Sequence, residues 1–338
     1  MKKLRVAVIG CGCISVMHLT PISMFDDVEL VACCDIDKAK ADAAAKEYQT
    51  KAYYDYKTLF TEEKLDAVHL CLPHYLHSKV ACDAFEHGIH VLTEKPMDID
   101  YESAAHAVAY AKEKGVKFGV VSQCRYNDAV QFVKKTLESG KLGKLLSVRS
   151  ILTWKREDSY YTTSDWKGRW DKEGGGVLIN QAIHSLDLAH WMIDSEVEDV
   201  RCAMSNHNHS VIEVEDTVEG LVTYKNGVKL LFYYSNNNAT NDAPELRLYC
   251  EKGNVVFTYD DAYITYADGT KEEKHRETKA VECKGGKDYW GVQHGRQIRH
   301  FYDAILDKEP LFLCGDETLK THALVMRIYE IGKEGMKK

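Results

Sequence analysis

The segment VLINQAIHSLDLAHWM carries polar side chains at a helical spacing. Asn180, His184 and Asp187 are separated by four and three residues, which places them on one face of a helix. A histidine titrates near neutral pH and suits proton transfer, and a carboxylate one turn away can fix its tautomer. The same pattern also fits a core histidine held by Asp187, so the residues alone leave both interpretations open.

A lysine follows a short apolar run in TEKPMDID, between Glu94 and Pro96. Lys95 would lie at the carboxyl end of a strand, where ligands bind in parallel sheets. A lysine near a cationic cofactor ring can share the proton of a substrate hydroxyl. The alternative is an ordinary solvent-exposed lysine at a strand end.

The loop VIGCGCISVMH has glycines at positions 10 and 12, directly after the first predicted strand. A dinucleotide-binding turn needs Gly10 for the tight bend and Gly12 for close approach of the pyrophosphate. Cys13 and Ile14 then open a helix aimed at the phosphates, and Ser15 stands where a third glycine is usual. A Cys-x-Cys metal or redox site lacks the usual spacing and a second ligand pair, so we predict no metal site.

The second predicted strand ends in an acid, Asp35, twenty-three residues after Gly12. A carboxylate there accepts hydrogen bonds from the adenosine ribose and repels a 2′-phosphate, which favours NAD over NADP. Ile36 follows as a further cofactor contact. The alternative is that Asp35 only caps the next helix.

The stretch TWKREDSYYTTSDWKGRWDKEGGG combines aromatic and cationic side chains. Aromatic faces stack on sugar C–H surfaces and arginine binds hydroxyls or phosphate, so we predict substrate contacts from Arg156, Tyr161 and Trp166. Some of these aromatic residues would instead pack the loop. The glycines at 174–176 permit either close approach to the cofactor or a sharp entry into the helix.

The elements around these residues change character along the chain. Up to residue 122, short apolar runs alternate with helical stretches, which predicts a doubly wound parallel sheet of the Rossmann type. Residues 123–310 contain alternating strands joined by Asn-Gly, Lys-Gly and Asp-Gly turns, which predict a second, α+β domain with an open, mostly antiparallel sheet. A C-terminal helix in 311–338 is expected to pack back on the first domain.

Composition narrows the class of protein. The 338 residues carry a formal net charge of −8, which argues against a nucleic-acid partner. A signal peptide and a membrane span are not predicted, since the N-terminal apolar run is short and leads into the glycine loop. The 11 cysteines, several in apolar runs, fit free thiols of a cytoplasmic protein.

The ordered motifs resemble those of the Gfo/Idh/MocA oxidoreductases. They are the glycine loop, PHYLH from Pro73 to His77, EKP, GKLGKL and GGGVLINQAIH. The resemblance implies a nicotinamide cofactor, a sugar or polyol substrate, and a homo-oligomer (dimer or tetramer) formed through the open sheet. It implies cofactor contacts at Pro73, His74, His77, Glu94 and Lys95.

The resemblance also implies catalytic roles for Lys95 and His184, with substrate contacts at Asn180 and His184. Inositol-dehydrogenase-like members carry an aspartate where this chain has Asn180, and an amide cannot act as a base. We therefore expect Lys95 and His184 to handle the proton.

These features predict an NAD-dependent dehydrogenase of a sugar, sugar derivative or polyol. One alternative is a redox-neutral enzyme whose tightly held NAD oxidises a sugar transiently, to permit glycoside cleavage or epimerisation. Another is a non-catalytic nucleotide-sensing regulator, which would not need Lys95 and His184.

Overall fold

The computed structural model describes residues 3–277 and 293–336, which form two compact units. The first contains residues 3–123 and 293–320, and the second contains 124–277 and 321–336. This division differs from the predicted one in the C-terminal part of the chain. Residues 293–320 belong to the first unit because Ile298, Phe301 and Tyr302 complete its apolar core. The later part of the last helix belongs to the second unit, through Leu324, Ile328 and their neighbours.

The first unit is built on a six-stranded sheet of order β3-β2-β1-β4-β5-β6, with every pair parallel. The sheet confirms the predicted Rossmann topology. From β1, the next strands β2 and β3 are added on one side and β4, β5 and β6 on the other. The loop after β1 therefore lies at the switch point of the strand order, where such sheets bind ligands. The strands are β1 Leu4–Ile9, β2 Val28–Cys34, β3 Lys51–Tyr53, β4 Ala67–Leu70, β5 His90–Thr93 and β6 Phe118–Val120.

Helices connect these strands, as the alternating pattern predicted. They are α1 Val16–Ser23, α2 Lys38–Glu47, α3 Tyr56–Glu62, α4 His77–Glu86 and α5 Tyr101–Glu113. A further helix of this unit, α9 His294–Ile305, comes much later in the chain. Most residues of β1, β2 and β4 are buried, as expected for strands covered on both faces. β3 is a three-residue strand at the sheet edge.

The second unit contains an eight-stranded sheet of order β14-β13-β12-β11-β7-β10-β9-β8. Only β7 and β10 pair in parallel, which confirms the mostly antiparallel sheet predicted from the hairpin turns. The strands are β7 Leu145–Thr153, β8 Val197–Ser205, β9 Thr217–Tyr224, β10 Lys229–Ser235, β11 Glu245–Cys250, β12 Gly253–Phe257, β13 Asp261–Tyr266 and β14 Lys271–His275. The helices are α6 Asp128–Glu138, α7 Asp158–Thr162, α8 Ile183–Ile193 and α10 Gly315–Met336, whose first six residues belong to the first unit.

One face of the second sheet is covered and the other is open. Leu230 and Phe232 are buried in the core beneath α8, whereas Leu231 and Tyr233 on the opposite face are 54% and 40% exposed. Tyr263 of β13 is also exposed. We call this surface, marked by Leu231, Tyr233 and Tyr263, the open sheet face.

No helix within the described residues is both long enough and apolar enough to cross a bilayer.

Candidate functional site

The glycine loop has the geometry of a phosphate cradle. Gly10 has φ +93°, and a Cβ there would lie 2.2 Å from the carbonyl oxygen of Cys71. That position is therefore restricted to glycine by both conformation and space. Gly12 differs, because a Cβ on it would have no atom within 4 Å. The open space beside Gly12, ahead of the helical residues Cys13–Ser15, fits a pyrophosphate close to the backbone.

Ser15 compensates locally for the missing third glycine. It is buried, and its hydroxyl donates a 2.7 Å hydrogen bond to the carbonyl of Gly12, which closes the turn. Cys13 is exposed and Ile14 is half-buried, so both can contact a ligand of the loop.

Asp35 is bonded to the glycine loop and does not cap α2. Its carboxylate accepts hydrogen bonds from the backbone N–H groups of Cys11 (2.7 Å) and Asp37 (2.8 Å). The cap of α2 is Asp37, whose side chain accepts from Ala39 and Lys40. The capping alternative for Asp35 is thus wrong. Ile36 beside it is 91% exposed, an apolar surface well placed for a ligand that Asp35 binds.

Two of the predicted cofactor contacts lie in the interior. His77 is fully buried, with its ring nitrogens 2.6 Å from the carbonyl of Pro96 and 2.9 Å from that of Leu72. We correct its role to bracing the Pro96 backbone, because both nitrogens face protein carbonyls. His74 is also buried, with 3% of its surface exposed. Pro73, in the same loop, is half-buried.

Glu94 is also internal and ends a chain of buried hydrogen bonds. Its Oε1 lies 3.0 Å from Nε2 of His18, whose Nδ1 lies 2.8 Å from Nδ1 of His69. His69 Nε2 is in turn 2.7 Å from the hydroxyl of Tyr302. With Glu94 ionised, Nε2–H of His18 donates to Glu94, Nδ1–H of His69 donates to His18, and the Tyr302 hydroxyl donates to His69. Each imidazole then has one protonated nitrogen and is neutral.

The pKa directions agree with this assignment. Burial lowers the pKa of His18 and lowers that of His69 further. Burial acts to raise the pKa of Glu94, but its hydrogen bonds to His18 and His294 hold that pKa well below the usual range. Glu94 is therefore a buried anion, and its second oxygen accepts the backbone N–H of Lys95. We correct its predicted cofactor contact to support of the Lys95 backbone.

Two histidines and a glutamate in this buried region are residue types that commonly bind metal ions. His18, Glu94 and His294 each offer one ligand atom, and these atoms lie within 4.8 Å of one another. We call them the His-Glu cluster. The sequence predicted no metal site. The hydrogen bonds of His18 and Glu94 give both groups protein partners in the structure as it stands.

Lys95 is the accessible residue of its segment. Val91–Thr93, Glu94, and the three residues that follow Lys95 are buried, whereas Lys95 itself is half-buried. The loop after β5 therefore brings one amine toward the carboxyl edge of the sheet.

In the second unit, the triple glycine lets a helix start against a buried carboxylate. Glu215 accepts hydrogen bonds from the backbone N–H groups of Gly176 (2.9 Å) and Leu178 (3.0 Å) and from the hydroxyl of Tyr329 (2.8 Å). A Cβ on Gly175 would lie 2.0 Å from that hydroxyl, and one on Gly176 would lie 1.8 Å from the carbonyl of Glu215. The glycines thus provide the sharp helix entry that the sequence suggested.

The helix begins with a π-helical turn, Leu178–Ala182, and continues as α8. Such turns are frequent at functional sites. From Glu173 to His190 every residue is buried except Asn180 and His184. Of the three side chains that the sequence singled out, Asn180 and His184 are therefore accessible, whereas Asp187 is buried.

Asp187 has a further partner that the sequence did not suggest. Arg125 donates to both its oxygens, from Nε (2.8 Å) and Nη2 (2.7 Å), and Thr321 donates to Oδ1 (2.7 Å). Burial acts to raise the pKa of Asp187, but the charge of Arg125 keeps it below the usual value, and His184 adds to this effect. Asp187 is therefore an anion that anchors the helix beneath His184.

The aromatic stretch divides into a buried and an accessible part. Tyr161, a predicted substrate contact, is 3% exposed and its hydroxyl accepts from Asn236, so we correct it to a core residue. Its neighbour Tyr160 is half-buried and accepts a hydrogen bond from Asn180 (3.2 Å). Arg156 and Trp166 are half-buried.

Sequence reasoning chose Tyr161 over Tyr160 and missed Glu173, Glu215 and Arg125. Two adjacent tyrosines offer no pattern that tells which one faces inward. A glutamate directly before three glycines was a usable signal, because a charged group beside a tight turn needs hydrogen-bond donors nearby, and Glu173 has them in Gly168 and Asn180. No local signal marks Arg125, whose partner lies 62 residues away.

Comparison with known proteins places these features in a family. The NAD-binding Rossmann-fold model of the GFO/IDH/MocA oxidoreductases matches residues 4–122, and the C-terminal domain model matches residues 130–256. The uncharacterized oxidoreductase YrbE of Bacillus subtilis is 26% identical over 264 residues, 75% of this chain and 74% of YrbE. D-glucoside 3-dehydrogenase of Escherichia coli is 30% identical over 194 residues, 56% of this chain and 54% of that protein.

Among solved structures, the WlbA dehydrogenase of Bordetella pertussis, in complex with NADH and UDP-GlcNAcA, is 27% identical. It covers 99% of this chain and 98% of its own, with a TM-score of 0.86. The resemblance inferred from the motifs is confirmed, and the chain belongs to the GFO/IDH/MocA oxidoreductase family, with an NAD-binding Rossmann domain at its N-terminus.

Proposed function

We propose that this protein is an NAD-dependent dehydrogenase that oxidises a secondary hydroxyl of a sugar, sugar derivative or polyol. The observation that carries the proposal is that Lys95, Asn180 and His184 are half-buried in segments that are otherwise buried. An amine, an amide and an imidazole can bind an alcohol, and the amine or the imidazole can take its proton. The similarity to D-glucoside 3-dehydrogenase and to the WlbA dehydrogenase, whose structure holds UDP-GlcNAcA, supports the substrate class.

The cofactor would be held by the glycine loop and by Asp35. The pyrophosphate fits the space beside Gly12, Asp35 would accept the ribose hydroxyls, and Ile36 would cover the adenine. We propose NAD over NADP because the Asp35 carboxylate would repel a 2′-phosphate. When bound, the nicotinamide supplies the hydride acceptor.

The side chains of the protein would take the hydroxyl proton and orient the substrate. His184 would accept the hydroxyl proton through a ring nitrogen, and Asp187 below it stabilises the imidazolium that results. The Lys95 ammonium would donate a hydrogen bond to the substrate oxygen and stabilise the developing alkoxide. Asn180, Arg156 and Trp166 would bind the rest of the sugar.

The test is a panel of free sugars, inositols, glycosides and nucleotide sugars, assayed with NAD and with NADP for NADH or NADPH formation. Lys95→Met and His184→Ala are then measured on the active substrate, with Lys79→Met, an exposed lysine of α4, as the matched control. We expect kcat/KM to fall by about 10²–10⁴-fold in the first two and not in the control. Near wild-type oxidation in both would refute the mechanism. Product without net NADH would instead indicate the redox-neutral route.

We further propose a homo-oligomer, dimer or tetramer, formed through the open sheet face, because Leu231, Tyr233 and Tyr263 leave apolar area on a wide sheet. Leu231→Glu should shift the sedimentation coefficient toward that of the monomer.

We also propose a cytoplasmic location, since all ten described cysteines carry free thiols. Thiol titration of the unfolded protein, purified without reductant, should find all 11.

A further inference from the structure

A buried histidine lies against the loop that carries Arg156. His209 belongs to the loop between β8 and β9 and is 4% exposed. Its Nδ1 lies 3.0 Å from Oδ2 of Asp216, and its Nε2 lies 2.7 Å from the backbone carbonyl oxygen of Arg156. The imidazole therefore bridges the loop after β8 and the loop after β7.

Both partners of this imidazole are hydrogen-bond acceptors. Asp216 also accepts hydrogen bonds from the backbone N–H groups of His207 (3.0 Å) and Asn208 (3.1 Å) and from the hydroxyl of Thr217 (3.0 Å). Donors of this number favour the ionised carboxylate, which only accepts, and a carbonyl oxygen only accepts as well. Each ring nitrogen must carry a hydrogen to make its bond, so the geometry fits the charged imidazolium form of His209.

The pKa directions agree with this charge state. The hydrogen bond to Asp216 raises the pKa of His209 against the effect of burial, and the Arg156 carbonyl and the charge of Asp158 raise it further. Burial acts to raise the pKa of Asp216, but hydrogen bonds from His209 and from the loop backbone keep it below the usual value. The ring of Tyr161 also packs edge-on against the imidazole, with 5.3 Å between the ring centroids.

The bond to the carbonyl helps to fix the position of Arg156. Its backbone N–H donates to the carbonyl of Asn236 (2.8 Å), and its own carbonyl accepts from the imidazole. Its guanidinium lies over the rings of Trp154 (5.0 Å) and Tyr160 (5.3 Å). Tyr160 in turn accepts a hydrogen bond from Asn180, so the held backbone keeps the guanidinium next to a residue that contacts the candidate site.

We propose that His209 is a positioning residue whose imidazolium binds Asp216 and the Arg156 carbonyl together, and so holds the Arg156 side chain in place for a substrate. The role toward a substrate rests on the proposed function, whereas the fixing of the loop does not. A neutral His209 keeps the hydrogen on Nδ1 for Asp216 and presents a bare Nε2 to the carbonyl, so the bond to Arg156 is lost. The position of Arg156 therefore depends on one proton.

The direct test is NMR of the peptide group that contains the Arg156 carbonyl. The nitrogen of this group belongs to Glu157. Labelling arginine with ¹³C at the carbonyl and glutamate with ¹⁵N selects Arg-Glu pairs, of which the sequence has two, 156–157 and 276–277. Arg156→Lys assigns the first pair by the loss of its signal. We expect this ¹⁵N signal to shift between pH 6 and pH 10, with a midpoint above 6.5, the ordinary pKa of histidine.

Matched variants make this titration specific to one imidazole. The shift should disappear in His209→Gln, whose amide does not titrate. It should persist in His207→Gln, which replaces an exposed histidine of the same loop. The signal of the pair 276–277, just after β14, should titrate identically in all three proteins. Absence of the shift in the wild type, or its persistence in His209→Gln, would overturn the proposal.

Thermal unfolding separates a charged bridge from simple packing of the ring. The pKa of His209 is higher in the folded protein than its ordinary value of 6.5. The stabilisation is therefore complete below about pH 6.5 and is lost as the pH rises through the folded-state pKa. The Tm of the wild type minus that of His209→Gln should be larger at pH 5.5 than at pH 9.5. An equal difference at both pH values would mean that the ring acts only by packing, which contradicts the charged form.

The kinetic test uses the sugar that the panel identifies. Near pH 7, His209→Gln should raise KM about tenfold, the effect of one lost hydrogen bond, with a smaller change in kcat. The ratio of the variant's KM to that of the wild type should fall toward one near pH 10, because the wild type then loses the same bond. A ratio that does not depend on pH would refute the positioning role. If no sugar of the panel is oxidised, the proposed function fails, while the NMR and unfolding results still decide whether His209 fixes Arg156.

Discussion

Asp35 and Asp37 form a matched pair for testing cofactor choice. Both are carboxylates at the end of β2, but only Asp35 is bonded to the glycine loop, while Asp37 caps α2. Asp35→Asn removes the charge and keeps one acceptor oxygen. Asp37→Asn also removes a charge, and asparagine caps a helix as well as aspartate does.

Two contributions determine the expected change in the NADP/NAD ratio of dissociation constants. Hydrogen bonds between a carboxylate and the ribose hydroxyls contribute about 1.5–3 kcal/mol to NAD binding, and asparagine loses most of this. A 2′-phosphate of charge near −2, about 5 Å from Asp35, is repelled by about 1.7 kcal/mol even in water, and the variant relieves this. Together these terms shift the NADP/NAD ratio of dissociation constants by about 100-fold or more.

Isothermal titration of each cofactor, without substrate, measures the ratio directly. We expect Asp35→Asn to lose most of its preference for NAD and Asp37→Asn to retain the wild-type ratio. The reasoning fails if Asp35→Asn leaves the ratio unchanged, or if both variants alter it equally. Equal effects would mean that general surface charge, not contact with the ribose, sets the preference.

Three further perturbations follow from the first unit. Gly10→Ala should destabilise the fold by about 2 kcal/mol or more in denaturant unfolding, because its Cβ meets Cys71 at 2.2 Å. Gly12→Ala should leave stability within about 0.5 kcal/mol yet weaken NAD binding about tenfold, since the methyl occupies the open phosphate space; equal NAD affinity would contradict this. Dialysis against a chelator should change neither Tm nor activity, because His18 and Glu94 already satisfy each other within the His-Glu cluster. A loss restored by zinc would show that this cluster is a metal site.

The sequence predicted the parts of this protein that depend on neighbours along the chain. Alternating apolar runs and helical stretches predicted the parallel sheet of the first unit, and hairpin turns predicted the antiparallel sheet of the second. Helical spacing placed Asn180 and His184 on one face, and both are accessible. These inferences succeed because backbone period and local spacing determine which side chains share a face.

The tertiary structure decided what depends on distant partners. His69 is hydrogen-bonded to Tyr302, 233 residues later in the sequence, and Glu215 is hydrogen-bonded to Tyr329, 114 residues later. No local pattern could indicate that His77 and Tyr161 are interior residues or that Glu173 accepts a hydrogen bond from Asn180.

Burial and ionisation follow from the packing of segments remote in sequence. That packing is also why residues 293–320 complete the first core while the end of α10 completes the second. The motifs thus established which chemical groups are available, and the fold determined which of them are accessible and in what state of charge.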